Sequence, residues 1–202
     1  MQRKIIAYSS VYERKETKEF EFIDLIKNQS TIFESFGIYN YVYELDRIKT
    51  ISDKEERNQA KRSYIPAVDL SMSGVLSIDI DGIFNNQDLK SKIIKKLSNL
   101  NSCFAAMESV SGNVVAFFKY ECTTVEFPFL YYKIYLELTL LLSVNIDFLP
   151  EIGRLRYVSI GELFHYNEHS EVLDEVMECE TLPYINTQVG KKKARDVRYG
   201  SN

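Results

Sequence analysis

Residues 74–82 read GVLSIDIDG, and the alternation inside that stretch decides how the rest of the chain is read. Successive side chains of a β-strand point to opposite faces. Val75, Ser77, Asp79 and Asp81 therefore share one face, and Leu76, Ile78 and Ile80 share the other. Such a strand buries an aliphatic face and presents two carboxylates roughly 6.5–7 Å apart along the opposite one. Carboxylates held this close repel one another unless a cation lies between them, and Mg²⁺ or Mn²⁺ is the usual partner for oxygen ligands of this kind. An isolated Asp-x-Asp at a strand end is more often structural than metal-binding. The segments downstream of the strand raise the weight of this one.

A polar turn, GIFNNQ, leads into DLKSKIIKKLSNL, where Leu89, Ile93, Ile94, Leu97 and Leu100 recur at helical spacing. SCFAAMES and NVVAFFKYE then read as two strands joined by a tight turn at Ser111, Gly112 and Asn113. Pro128 stands near the start of a long helix, FPFLYYKIYLELTLLLSV, where its missing N–H is tolerated. RLRYVSI, residues 154–160, closes the series as a strand. The order β-α-β-β-α-β predicts an α+β fold with a ferredoxin-like or RNA-recognition-motif-like core, its sheet antiparallel, both helices on one face and the other face open for a site. That architecture hosts many activities and does not select one. The expected organisation is an α/β subdomain over residues 1–73 packed on the core, the core itself over 74–175, and an acidic-to-basic tail over 176–202. Within the first part, RKIIAYSSVY and NYVYEL read as strands, FEFIDLIKN and SDKEERNQAKRS as helices, and YIPAVDLSMSG as extended chain.

Composition excludes several classes. With 45% hydrophobic residues, eight Gly and four Pro in 202 residues, the chain has the makings of a substantial core. Cys103, Cys122 and Cys179 form neither an even set nor a C-x-x-C pair, which argues against a disulfide framework or structural zinc and for a reducing, cytoplasmic setting. The N-terminal stretch lacks the apolar region of a signal peptide, and Lys133 and Glu137 interrupt the most apolar run, so no membrane role is expected. A net charge of −4 argues against binding nucleic acid chiefly by phosphate neutralisation, although the tail GKKKARDVRYGSN is locally basic. No G-x-x-x-x-G-K loop is present, so the chain is not expected to hydrolyse ATP itself. His165 to His169 spells H-x-x-E-H, an inverted zinc-protease signature that requires both histidines on one helical turn and a distant third ligand. Asn167 within it is a poor helix residue, and the spacing is read as coincidence. Most of the 14 Tyr and 12 Phe fall on periodic core positions; Tyr157 and Phe118, on expected strands, are the candidates for base stacking.

SYIPAVDLSMSGVLSIDIDG, ESVSGNVVAFFKY and NIDFLPEIGRLRYVSIGELFHYNE together resemble the landmarks of the VirE amino-terminal-like domain, a branch of the archaeo-eukaryotic primase and primase-polymerase superfamily. The resemblance implies a primase or polymerase-type nucleotidyltransferase acting in DNA replication of a phage, mobile element or bacterium. It implies a metal site of Asp79, Asp81 and Asp147 holding Mg²⁺ or Mn²⁺. It further implies nucleotide binding by Ser109, Ser111, Gly112 and Asn113 of a Ser-x-Ser-Gly turn and by Arg154 and Arg156 of the following strand. Its implied partners are a nucleoside triphosphate, a single-stranded DNA template and a separately encoded helicase-type ATPase. The family pattern calls for a second glycine and then a basic residue after the turn, where this chain has Val114 and Ala116. With a regular hairpin, Lys119 lies one residue off the face of 114, 116 and 118. A bulge that turns Lys119 inward, substitution by Arg154 and Arg156, and a catalytically degenerate module that binds nucleic acid or a replication protein are the three alternatives.

Overall fold

The computed structural model describes residues 4–8, 17–27, 50–57, 67–69, 74–109, 111–144, 146–148, 150, 155–157 and 162–176. They form a mixed α+β structure with two sheets. β1 (Lys4–Tyr8), β2 (Thr17–Glu21), β3 (Ala67–Asp69) and β7 (Leu155–Tyr157) make a four-stranded antiparallel sheet in the order β2-β1-β3-β7. The second sheet has the order β4-β6-β5-β8, from β4 (Val75–Ile80), β5 (Cys103–Glu108), β6 (Val114–Tyr120) and β8 (Leu163–Tyr166); β9 (Val172–Leu173) pairs in parallel with the end of β6. Helix α1 (Phe22–Lys27) follows β2, α2 (Gln87–Ser98) links β4 to β5, and α3 (Phe127–Leu142) follows β6. The expected strand NYVYEL lies outside the described residues, as does the second half of the expected 52–63 helix. Its 54–57 turn is helical, started by the Asp53 carboxylate, which accepts from the Glu56 N–H at 2.7 Å.

The second sheet forms as its alternation predicts. β4 and β5 each pair antiparallel with β6 between them, so α2 crosses over as in a split βαβ unit. Leu76, Ile78 and Ile80 of β4 join Val114, Ala116 and Phe118 of β6 in one core cluster with Ile93 and Leu97 of α2 and Leu130, Ile134 and Leu138 of α3. Both helices thus cover one face, as expected. α2 starts at Asn86, whose side chain accepts from the Leu89 N–H at 3.0 Å. Thr123 and Glu126 form a reciprocal capping box ahead of α3: the Thr123 N–H donates to Glu126 Oε2 at 2.8 Å, and the Glu126 N–H to Thr123 Oγ1 at 3.3 Å. The Thr123 hydroxyl, which donates to Glu126 Oε2 at 2.6 Å, and after it the Thr123 N–H hold the Glu126 carboxyl below its ordinary range.

The open face was expected to be free, and it is covered in part. Phe22, at the start of α1, is buried against Phe104 and Phe117, with ring centroids 5.3 and 5.4 Å away. A bulge between Cys103 and Ala105 turns Phe104 onto that face. An aromatic from the N-terminal segment therefore seals the centre of the sheet and leaves the end carrying Asp79 to the site.

The expected closing strand, 154–160, is placed differently. Its described part, β7, pairs with β3, with Val68 opposite Arg156, and so belongs to the other sheet. The reason is one of chain path. Ile146 bridges Ile80, so the segment after α3 runs antiparallel to β4, toward its start. Further along the chain, Leu155–Tyr157 lie beside β3, the strand that precedes β4 in the chain. The outer edge of the core sheet is closed instead by β8, opposite Ala105 to Met107 of β5. Phe118, an expected stacking residue, is buried among the helices.

No helix among the described residues is long and apolar enough to cross a membrane. Burial pushes the Cys103 thiol from its ordinary 9.0 up to about 12. An unfolded chain releases that proton near 9.0 while the folded chain retains it, so the folded state binds more protons between these values and loses stability as pH rises through them. Unfolding titrations at stepped alkaline pH should show a downward slope in stability that Cys103→Ala makes shallower.

Candidate functional site

Ile146 and Phe148 alternate with Asp147 as a strand requires: the first two are buried, the third is exposed. Phe148 sits among Tyr131, Tyr132 and Tyr135 of α3, with ring centroids 5.7, 5.6 and 5.0 Å away. That aromatic socket fixes the register of the segment. With Ile146 opposite Ile80, Asp147 falls opposite Asp79, and the Asp147 N–H donates to the Asp79 carbonyl at 3.3 Å. Residues directly opposite in an antiparallel pair have Cβ atoms about 4.5–5.5 Å apart and share a face, and like charges so placed repel. Asp79 and Asp147 therefore share the face turned away from the helices. The sequence alone could not show this juxtaposition, because it depends on the register of Ile80 and Ile146, 66 positions apart in the chain.

Asp81 lies just past the end of β4, before Gly82 at φ +76°. Its Oδ1 accepts from Asn113 Nδ2 at 3.1 Å. Asn113, buried at the start of β6, is the hub of this end of the sheet. Its Oδ1 accepts from the N–H groups of Ile83 and Phe84, both at 3.0 Å, and its Nδ2 also donates to Ser111 Oγ at 3.1 Å. The Ser-x-Ser-Gly turn is closed by the Gly112 N–H donating to the Ser109 carbonyl at 2.9 Å and the Asn113 N–H donating to Ser109 Oγ at 3.1 Å. Ser109 Oγ and Ser111 Oγ lie 3.0 Å apart. The N–H groups of Gly112 and Asn113 are thus engaged inside the turn, and Ser111, which is exposed, is the part of it that faces outward. Gly112 has φ +83°, a left-handed conformation open to glycine at little cost.

Lys90 supports the turn from below. Its ammonium, buried on α2, donates to Glu108 Oε1 at 2.7 Å and to the Gly112 carbonyl at 3.1 Å, and lies 5.0 Å from the centre of the Phe164 ring. Asn113 as a side-chain hub and Lys90 as a buried cation are both missed by sequence reasoning, which names Asn113 only as part of the nucleotide-binding turn and does not single out Lys90. An Asn closing a tight turn is the one available signal, because its amide readily bonds nearby backbone. Replacing Asn113 with Leu leaves the Ile83 and Phe84 N–H groups without their acceptor. At about 1–3 kcal/mol for each buried group so orphaned, chemical denaturation should show a loss of about 3 kcal/mol, whereas Asn113→Asp should keep the acceptor and set a second charge against Asp81.

The residues after the turn correct one expectation about faces. Asp79 pairs with Val115, and Val75 with Lys119, so 115, 117 and 119 share the face of Asp79 while Val114 and Ala116 point into the helix-covered core. No bulge is needed to bring Lys119 to the acidic face. It lies four residues further along β6, roughly 13 Å from the level of Asp79, where it donates to the carbonyls of Glu168 at 2.6 Å and Ser170 at 3.3 Å. Its ammonium also sits 4.7 Å from the centre of the Phe104 ring. Arg156 lies on β7 opposite Val68, and Arg154 lies outside the described residues. Among the described residues no three His, Cys, Asp or Glu side chains come together as a metal-holding group. The H-x-x-E-H stretch is strand followed by turn: His165 is on β8 with Nε2 3.1 Å from the Cys103 carbonyl, and His169 is in the turn, so the two do not share a helical turn as that signature needs.

The end of the core sheet thus brings together an opposed carboxylate pair, a third carboxylate held by an amide, and a serine turn. The protein is of the α+β class with a split βαβ core. No protein-family model matches the chain, and neither a curated protein nor a solved structure does.

Proposed function

We propose that this chain is a primase-polymerase-like domain that transfers nucleotides onto a nucleic-acid strand in cytoplasmic DNA replication of a phage, mobile element or bacterium. The observation that supports the reading is the opposition of Asp79 and Asp147 next to Asp81, whose carboxylate is tied through Asn113 to the Ser-x-Ser-Gly turn. Mg²⁺ is commonly held by one or two carboxylates together with water and substrate phosphates. Asp79 and Asp147 would supply such a pair, and bound Mg²⁺ or Mn²⁺ would polarise the phosphate and lower the pKa of the attacking 3′-hydroxyl. Ser111 on the turn would meet the triphosphate, and single-stranded DNA would serve as the template. A helicase-type ATPase, encoded separately, would open the duplex.

A second reading draws on a separate observation. Val114 and Ala116 are packed under the helices, Lys119 is tied to two carbonyls at the far end of β6, and Lys90, the cation at the turn, is buried and engaged by Glu108 and the Gly112 carbonyl, so among the described residues no exposed cation stands beside the turn as the family pattern requires. On that reading the chain is a catalytically degenerate module that binds nucleic acid or a replication protein. Nucleotide incorporation on single-stranded DNA with Mn²⁺ or Mg²⁺ separates the two. Product that disappears in Asp79→Asn supports transfer, and strand binding without product, unchanged by that substitution, overturns it.

A further inference from the structure

The loop leaving β4 puts an aromatic ring beside the acidic end of the sheet. Phe84 is 50% exposed, unlike its neighbour Ile83, which is 1% exposed. Exposing half of a phenyl ring forgoes a sizeable part of the stabilisation that burial would give. The backbone beneath it is nonetheless tightly held. The Phe84 N–H donates to the buried Asn113 Oδ1 at 3.0 Å, and the Asn86 N–H closes the turn onto the Ile83 carbonyl at 3.0 Å. The same Asn113 amide bonds Asp81 and Ser111, so one side chain couples the aromatic, the carboxylate and the serine turn. Gly112 lies against Phe84: a Cβ built on that glycine would be 3.5 Å from the Phe84 Cβ. The ring is therefore solvent-accessible, and the backbone that carries it is fixed relative to the groups assigned to phosphate and metal.

Resting on the nucleotidyl-transfer reading of this site, we propose that Phe84 is a stacking platform for an unpaired nucleobase, contributed either by the incoming nucleotide or by the single strand. A flat ring held beside groups that take phosphate and metal is the arrangement a nucleotide uses at its two ends, and every base offers a π face to it. Base–aromatic stacking of this kind is worth roughly five- to a hundredfold in affinity.

The chain contains no tryptophan, so Phe84→Trp places a single indole reporter at this position. Four probes are titrated with Mg²⁺: dATP, tripolyphosphate, an oligo(dT) strand, and an abasic strand of the same length. Quenching of the indole by dATP but not by tripolyphosphate assigns the base to the nucleotide, and quenching by oligo(dT) but not by the abasic strand assigns it to the template. In parallel, labelled-ligand binding to the unmodified chain is compared with Phe84→Leu, which keeps apolar bulk without the π face. Stacking predicts roughly tenfold weaker binding of the base-bearing ligand and unchanged binding of its base-free counterpart. If the unmodified chain binds its ligand while Phe84→Leu binds equally well and the indole is not quenched, stacking is overturned and the transfer reading stands. If the unmodified chain binds neither nucleotide nor strand, the transfer reading falls and stacking falls with it.

Discussion

Asp79→Asn is expected to lower Mn²⁺- or Mg²⁺-dependent nucleotide incorporation by roughly a hundredfold or more, since metal stabilisation of a phosphoryl transition state is worth several kcal/mol. The substitution keeps the shape of the side chain and one acceptor oxygen while removing the charge and replacing the second oxygen with a donor. Asp147→Asn should act in the same direction, because the two residues are opposed across the sheet and would share the cation. Asp81→Asn should cost less than either, because one of its oxygens accepts from Asn113 Nδ2 at 3.1 Å and an amide oxygen can still accept there. Incorporation of labelled nucleotide on a single strand, with folding checked by circular dichroism, reads all three. Equal activity of Asp79→Asn and the unmodified chain would remove the metal role from this pair.

Phe148→Ala is expected to destabilise the fold by about 3–5 kcal/mol, the range for deleting a buried phenylalanine. Its ring is surrounded by three tyrosines of α3, so the cavity left behind is lined by large, already packed rings with little freedom to collapse into it. For a chain of 202 residues that corresponds to a fall in Tm of roughly 6–20 °C. The functional consequence goes further than the stability. Asp147 is the exposed residue between two buried ones, and the Tyr131 hydroxyl lies 3.5 Å from its carbonyl, so loosening Phe148 frees the segment that sets Asp147 against Asp79. Phe148→Leu should recover much of the stability. If its incorporation then matched the unmodified chain while Phe148→Ala, held well below its own Tm, also remained fully active, the segment would not need its socket to position the carboxylate.

The elements most legible in the sequence are those with sustained periodicity. The 88–100 and 127–144 patterns correspond to α2 and α3, displaced by one or two residues at their ends, and the three long runs of the core form β4, β5 and β6. What escapes is short or charged. β2 reads TKEFE and lies at a sheet edge, where alternation with the core is weak; β8 has four residues and β9 two, too few to carry a period. In the site, the shared face of Asp79 and Asp81 follows from the period of two. The face of Lys119 does not, because the period leaves open whether 114 or 115 stands on the acidic side, and Asp79 in fact pairs with Val115. Asn113 and Phe84 carry no period, Lys90 shares only the helical spacing of the buried Ile93 and Leu97, and the roles of all three arise from contacts made across the chain.

By itself, the sequence determined the longer strands and helices of the core and the alternation of side chains within each, because those follow from backbone geometry within a few residues. The tertiary structure alone decided that Asp147 stands opposite Asp79, that residues 155–157 leave the core sheet for β3, and that one buried amide joins the acidic strand end to the serine turn. The reason is that backbone N–H and C=O groups are alike at nearly every residue, so a strand's partner and register are chosen by how distant side chains pack. Here the packing of Ile146 and Phe148 into the helix-covered core sets the register, and the register sets the carboxylates.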